Sequence, residues 1–75
     1  MRYEAEIRED SPLDYHDWKK GDRIVVVFCE TYERYHYIFE YLEGDFYIVD
    51  NHSWSLSFML SKGWPMIGWQ KLLQD

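Results

Sequence analysis

The residues predict a mainly β (α+β) fold: a small curled antiparallel sheet with one or two short helices. Three observations carry this. The run RIVVVFCE, Arg23 to Glu30, is built almost wholly of β-formers. The stretches YHYIFEYL and FYIVD flank Glu43-Gly44 as the two arms of a hairpin. RYEAEIRE, Arg2 to Glu9, alternates as a half-buried strand does, with Tyr3, Ala5 and Ile7 on one side and Arg2, Glu4, Glu6 and Arg8 on the other.

After that first strand, SPLDYHDWKKG reads as a helix of about two turns, too short to hold without packing from Leu13, Tyr15 or Trp18. Ser11 is placed to cap it and Pro12 suits its first position. Asp14 lies near the positive end, and Lys19-Lys20 precede Gly21. RIVVVFCE begins after Gly21-Asp22 and is apolar on both faces, which predicts a central strand covered on both sides.

The hairpin arms admit two registers. A two-residue turn at Glu43-Gly44 sets Tyr41 opposite Phe46 and Phe39 opposite Ile48; a type I turn with Gly44 left-handed shifts the pairing by one residue. In both, Tyr35, Tyr37, Phe39 and Tyr41 share one face, and His36, Ile38, Glu40 and Leu42 the other.

In the tail, Trp54, Leu56 and Phe58 alternate with serines like a strand. Ser53 as a cap, the Trp54/Phe58 and Leu56/Leu60 spacings, and Lys62-Gly63 as terminator favour a helix of about nine residues. WPMIGW then supplies a last short strand, expected at an edge because Pro65 has no N–H. One helix on one face leaves the second apolar face to be closed by curling or by another chain.

Seventy-five residues without repeat, linker or low-complexity tract predict a single compact domain, residues 1–75. Aromatic residues make up 20% of the chain, so some ring surface is left over once a small core is filled. Cys29 is the sole cysteine, which excludes an internal disulfide. With no signal-peptide pattern and no apolar run long enough to span a bilayer, a reducing, cytoplasmic setting is expected.

A formal charge of −6 argues against direct binding to nucleic acid or to anionic lipid. The excess is concentrated. Residues 1–45 hold twelve acids and six bases, and residues 46–75 two of each, so the acidic character belongs to the first part of the chain.

His16, His36, His52 and Cys29 are the available soft ligands, and none is paired at the spacing of a structural zinc site, so no metal and no cofactor are expected. Cys29, inside an apolar run with no basic sequence neighbour, is expected to be a small buried hydrophobe rather than a nucleophile. No phosphate loop, nucleophile elbow or His-Glu helix motif is present, and no enzymatic activity is expected.

Binding is the function class that remains, in two forms. Tyr35, Tyr37 and Tyr41 with a nearby carboxylate suit an aromatic cage for a cationic group such as methyl-lysine, or for another small ligand. Alternatively, an acidic surface carrying Glu4, Glu6, Asp14 and Asp17, with Tyr35, Tyr37 and Tyr41 as anchors, suits a larger protein whose basic surface handles nucleic acid. Trp54, Trp64 and Trp69 offer stacking platforms for bases but lack a basic groove beside them.

KKGDRIVVV followed by an aromatic hairpin resembles the opening of SH3-like and Tudor-like small barrels over about thirty residues, and the resemblance implies that the sheet curls. In style rather than motif, a small acidic chain of this build resembles the inhibitors that phages and mobile elements direct at host defence or transcription machinery. The acidic surface with its aromatic anchors suits a mimic of the phosphate backbone, expected as a monomer or homodimer, and the likeness implies a non-catalytic inhibitor or modulator encoded by a phage or mobile element.

Overall fold

The computed structural model describes residues 2–4 and 6–73, with the side chains of Arg2 and Tyr3 outside the description. Its strands are β1 (Arg2–Tyr3), β2 (Arg23–Glu30), β3 (Glu33–Leu42), β4 (Asp45–Ile48), β5 (Asn51–Ser55) and β6 (Met66–Leu73). One helix, α1 (Leu56–Ser61), separates β5 from β6. The strands are antiparallel throughout in the order β1-β6-β2-β3-β4-β5. The two ends of that order do not pair, so the sheet is open and not closed into an SH3-like barrel.

β2 is central, as its composition predicts. Ile24, Val26 and Phe28 face one side and are buried, and Val25 is buried on the other. The first side carries the main core: Ile24, Val26, Phe28, Phe39, Phe46 and Trp69 from the sheet, covered by Leu56 and Met59 of α1. Leu13, Tyr15 and Trp18 pack against the same core from the segment before β2. Both coverings therefore lie on one face.

The hairpin takes the two-residue turn. Phe39 pairs with Ile48, Tyr41 with Phe46 and Leu42 with Asp45. Glu43 and Gly44 both have positive φ, 43° and 91°, as a type I′ turn requires. Gly44 adopts this without strain, and the right-handed twist of the two arms selects it over the alternative register.

Five expectations are corrected. RYEAEIRE does not form a full alternating strand: β1 covers two residues, and the backbone then meets that of β6 at Glu4 N to Lys71 O and at the Arg8–Trp69 bridge, while the side chains of Gln70 and Trp69 donate to Glu4 O and Asp10 O. Ile7 is 60% exposed, while Arg8 lies over the rings of Tyr15 and Trp69, the reverse of the predicted facing. Ring faces attract the guanidinium, which outweighs simple polar-out alternation here. Ala5 lies outside the described residues.

The helix expected from SPLDYHDWKKG is a single 3-10 turn, Pro12–Asp14. Ser11 caps it by accepting from Leu13 N at 3.2 Å. The carbonyl oxygen of Pro12 accepts from the indole Nε1 of Trp18 at 2.8 Å as well as from Tyr15 N, so the acceptor that would start an α-turn is engaged otherwise.

α1 starts at Leu56, capped by Ser55 rather than Ser53, because Asn51–Ser55 extends along β4 first. The two readings of this segment each describe part of it.

β6 is an interior strand of eight residues, not a short edge. Pro65 stands just before its first residue, where its missing N–H disturbs no ladder bond, and its carbonyl accepts from Cys29 N at 3.0 Å. Cys29 itself is half-buried near the end of β2 rather than fully enclosed.

Candidate interaction surface

The acids singled out from the sequence all lie on the N-terminal flank of β2, in the segment between β1 and β2. Glu4 is half-buried and paired with Arg8 at 3.2 Å. The Arg8 guanidinium is held above its ordinary pKa, first by its hydrogen bond with Tyr15 and then by the Glu4 carboxylate, so it is a fixed positive charge inside this flank. Glu6, Asp14 and Asp17 are exposed and make no ion pair among the described residues.

The three tyrosines of β3 do not act as a unit. Tyr41 is half-buried, stacked on Trp18 at 6.4 Å and edge-on to Phe46 at 5.2 Å. Tyr37 is half-buried and meets Phe28 and Trp64 edge-on at 6.0 and 6.4 Å. Tyr35 alone is exposed, at 37%. Tyr37 and Tyr41 stand about 13 Å apart along the strand with buried Phe39 between them, so they do not enclose one cation. Much of the ring surface from Arg34 to Asp50 therefore holds the sheet together.

The rings left over gather elsewhere. The β2–β3 hairpin turns through Thr31 and Tyr32, and Tyr32 is 96% exposed. Glu30 and Glu33 pair directly across the two strands, a like-charge juxtaposition that costs stability. The Tyr35 hydroxyl donates to Glu33 at 2.6 Å, and this bond holds the phenol above its ordinary pKa. Thr31 has a φ of 57°, a region that β-branched residues rarely enter.

On the same face of the sheet, next along from this tip, lies a groove of about 340 Å³ lined by Tyr37, Ile48, Asn51, Trp54, Met59 and Trp64. Its construction follows from the irregular pairing of β5. Asn51 pairs with Ile48 and Ser55 with Tyr47, so His52, Ser53 and Trp54 are three extra residues with no partner on β4. Asn51 Oδ1 accepts from Ser53 N at 3.1 Å and shapes the excursion. Trp54 is thereby turned toward Trp64, edge-on at 6.2 Å, and stays 38% exposed. Trp64 is seated against Phe28 at 5.5 Å and forms the fixed wall.

Comparison of the chain with protein-family models, with curated proteins and with solved structures gave no match.

Glu30, Glu33 and Tyr32 at the tip, and Ile48, Asn51 and Met59 in the groove, are not singled out by the sequence. Thr31-Tyr32 contains neither Gly nor Asn and so lacks the composition that marks a tight turn. The groove depends on the pairing skip in β5, which no local pattern announces. Among the described residues, no three of His, Cys, Asp and Glu gather as a metal site. No helix among them is long and apolar enough to cross a membrane.

Proposed function

We propose that this chain is a non-catalytic binding module for a larger protein with a basic, nucleic-acid-handling surface, acting on it as an inhibitor or modulator. The carrying observation is that exposed acids stand at two places in the fold. Glu6, Asp14 and Asp17 belong to the segment between β1 and β2, and Glu30 and Glu33 to the β2–β3 tip beside exposed Tyr32 and Tyr35. Carboxylates so spread steer a basic surface into register, and exposed tyrosines add contact area at small entropic cost.

The test is a pull-down from cytosol with mass-spectrometric identification, followed by titration of the partner. Charge reversal at Glu6, Asp14 and Asp17 should slow association, and raising salt to about 0.5 M should weaken binding as screening shortens. Binding indifferent to both ends the proposal.

A further inference from the structure

We infer that the groove between Tyr37, Trp54 and Trp64 is the seat for an arginine side chain of the basic partner, an inference that rests on the function proposed above. The argument begins with how the chain uses its own cations. Arg8 lies over Tyr15 and Trp69 at 5.3 and 5.1 Å, Lys71 over Trp18 at 5.5 Å, and Lys62 over Phe58 at 5.5 Å. Three of the bases are thus engaged with rings. Among the described residues, Tyr37, Trp54 and Trp64 carry no such cation, although they border the groove together.

The surrounding charge favours a cation from outside. Glu30 shares a shallow cleft with Trp64, and Glu33 lies on the same face beyond Tyr35. Asp50, exposed, adjoins Asn51. The basic residue bordering that cleft, Lys62, is the one already placed over Phe58.

Arginine fits better than lysine for two reasons. Its planar guanidinium stacks on indole while its donors reach outward, and it sheds water more readily than an ammonium. Two residues of its lining carry acceptors suited to those donors: Asn51, whose side-chain oxygen has a lone pair beyond its bond to Ser53 N, and Tyr37. Its volume lies at the small end of ligand sites, suited to one side chain and not to a helix.

The experiment titrates N-acetyl-arginine-methylamide into the protein and follows the four indole N–H signals by NMR, with the neutral citrulline analogue as control. Arginine should shift Trp54 and Trp64 saturably and leave Trp18 and Trp69 in place. Citrulline should shift none of the four, and Trp54→Leu should weaken the arginine response roughly tenfold. Equal shifts with citrulline, or none with arginine, overturn the inference without any variant having to fold. A hexa-arginine peptide separates the two levels. Salt-dependent binding that leaves Trp54 and Trp64 unmoved overturns the groove and keeps the basic-partner reading. Peptide binding indifferent to salt, with the arginine shifts intact, overturns that reading and supports the groove.

Discussion

The indole N–H of Trp69 donates to the backbone carbonyl oxygen of Asp10 at 2.7 Å, joining two residues that stand 59 apart in the chain. The same indole meets Trp18 at 5.7 Å and Tyr15 at 5.5 Å, so one side chain fastens the segment before β2 to the sheet. Trp69→Phe removes the donor and part of the ring. It should cost about 2–4 kcal/mol in a urea titration, with Trp18 fluorescence shifting to the red as its cover loosens.

Val26 is fully buried at the middle of the central strand, opposite Tyr37 on one side and Trp69 on the other. Val26→Asp places an unpaired carboxyl there. A loss of roughly 3 kcal/mol or more is expected, enough to leave so small a domain mostly unfolded at 37 °C. Thermal unfolding by circular dichroism reads it, and a melting point within a degree or two of the parent would displace the core from where it is described.

Gly68 is buried beneath the N-terminal segment. A Cβ there would stand 2.8 Å from Ile7 Cγ2 and 3.3 Å from Arg8 O. The Ile7 side chain is exposed and can swing away, but the Arg8 carbonyl belongs to the bridge with Trp69. Gly68→Val should therefore peel this segment from β6 before it disturbs the sheet. Hydrogen exchange should accelerate at the Arg8 and Trp69 amides and stay slow at Val26.

Two phenols donate to carboxylates, Tyr35 to Glu33 and Tyr15 to Asp10, and each is held above the ordinary value of 10.0. The bond needs the proton on the tyrosine. Its contribution is complete below the ordinary phenol value and is lost as pH rises through the raised one, so stability should fall in alkaline solution. Ring NMR signals should show Tyr35 titrating late, and Glu33→Gln should bring it back toward the ordinary value.

The parts of the fold visible in the sequence are those fixed by local chemistry. Ile24–Phe28 could hardly be other than a buried strand, and the φ requirement at Glu43-Gly44 names a tight turn before its register is known. What escaped notice depends on partners distant in sequence. The Trp18 indole caps the Pro12 carbonyl and cuts a helix short, and Arg8 turns inward because Tyr15 and Trp69 wait there. The acids of the N-terminal flank are legible as charge. The groove is not, because three unpaired residues in β5 and a tryptophan beyond α1 build it together.

The irregularity that builds the groove also bears on how copies of this chain behave when crowded. A sheet grows into fibres by adding strands to its ends, and that requires an uninterrupted row of backbone donors and acceptors. Here one end of the sheet is the broken β5, and the other is a strand of two residues followed by isolated contacts. Among the described residues, neither offers a long uninterrupted template. For a chain with 20% aromatic residues, the shortness of these strand edges works against fibre growth.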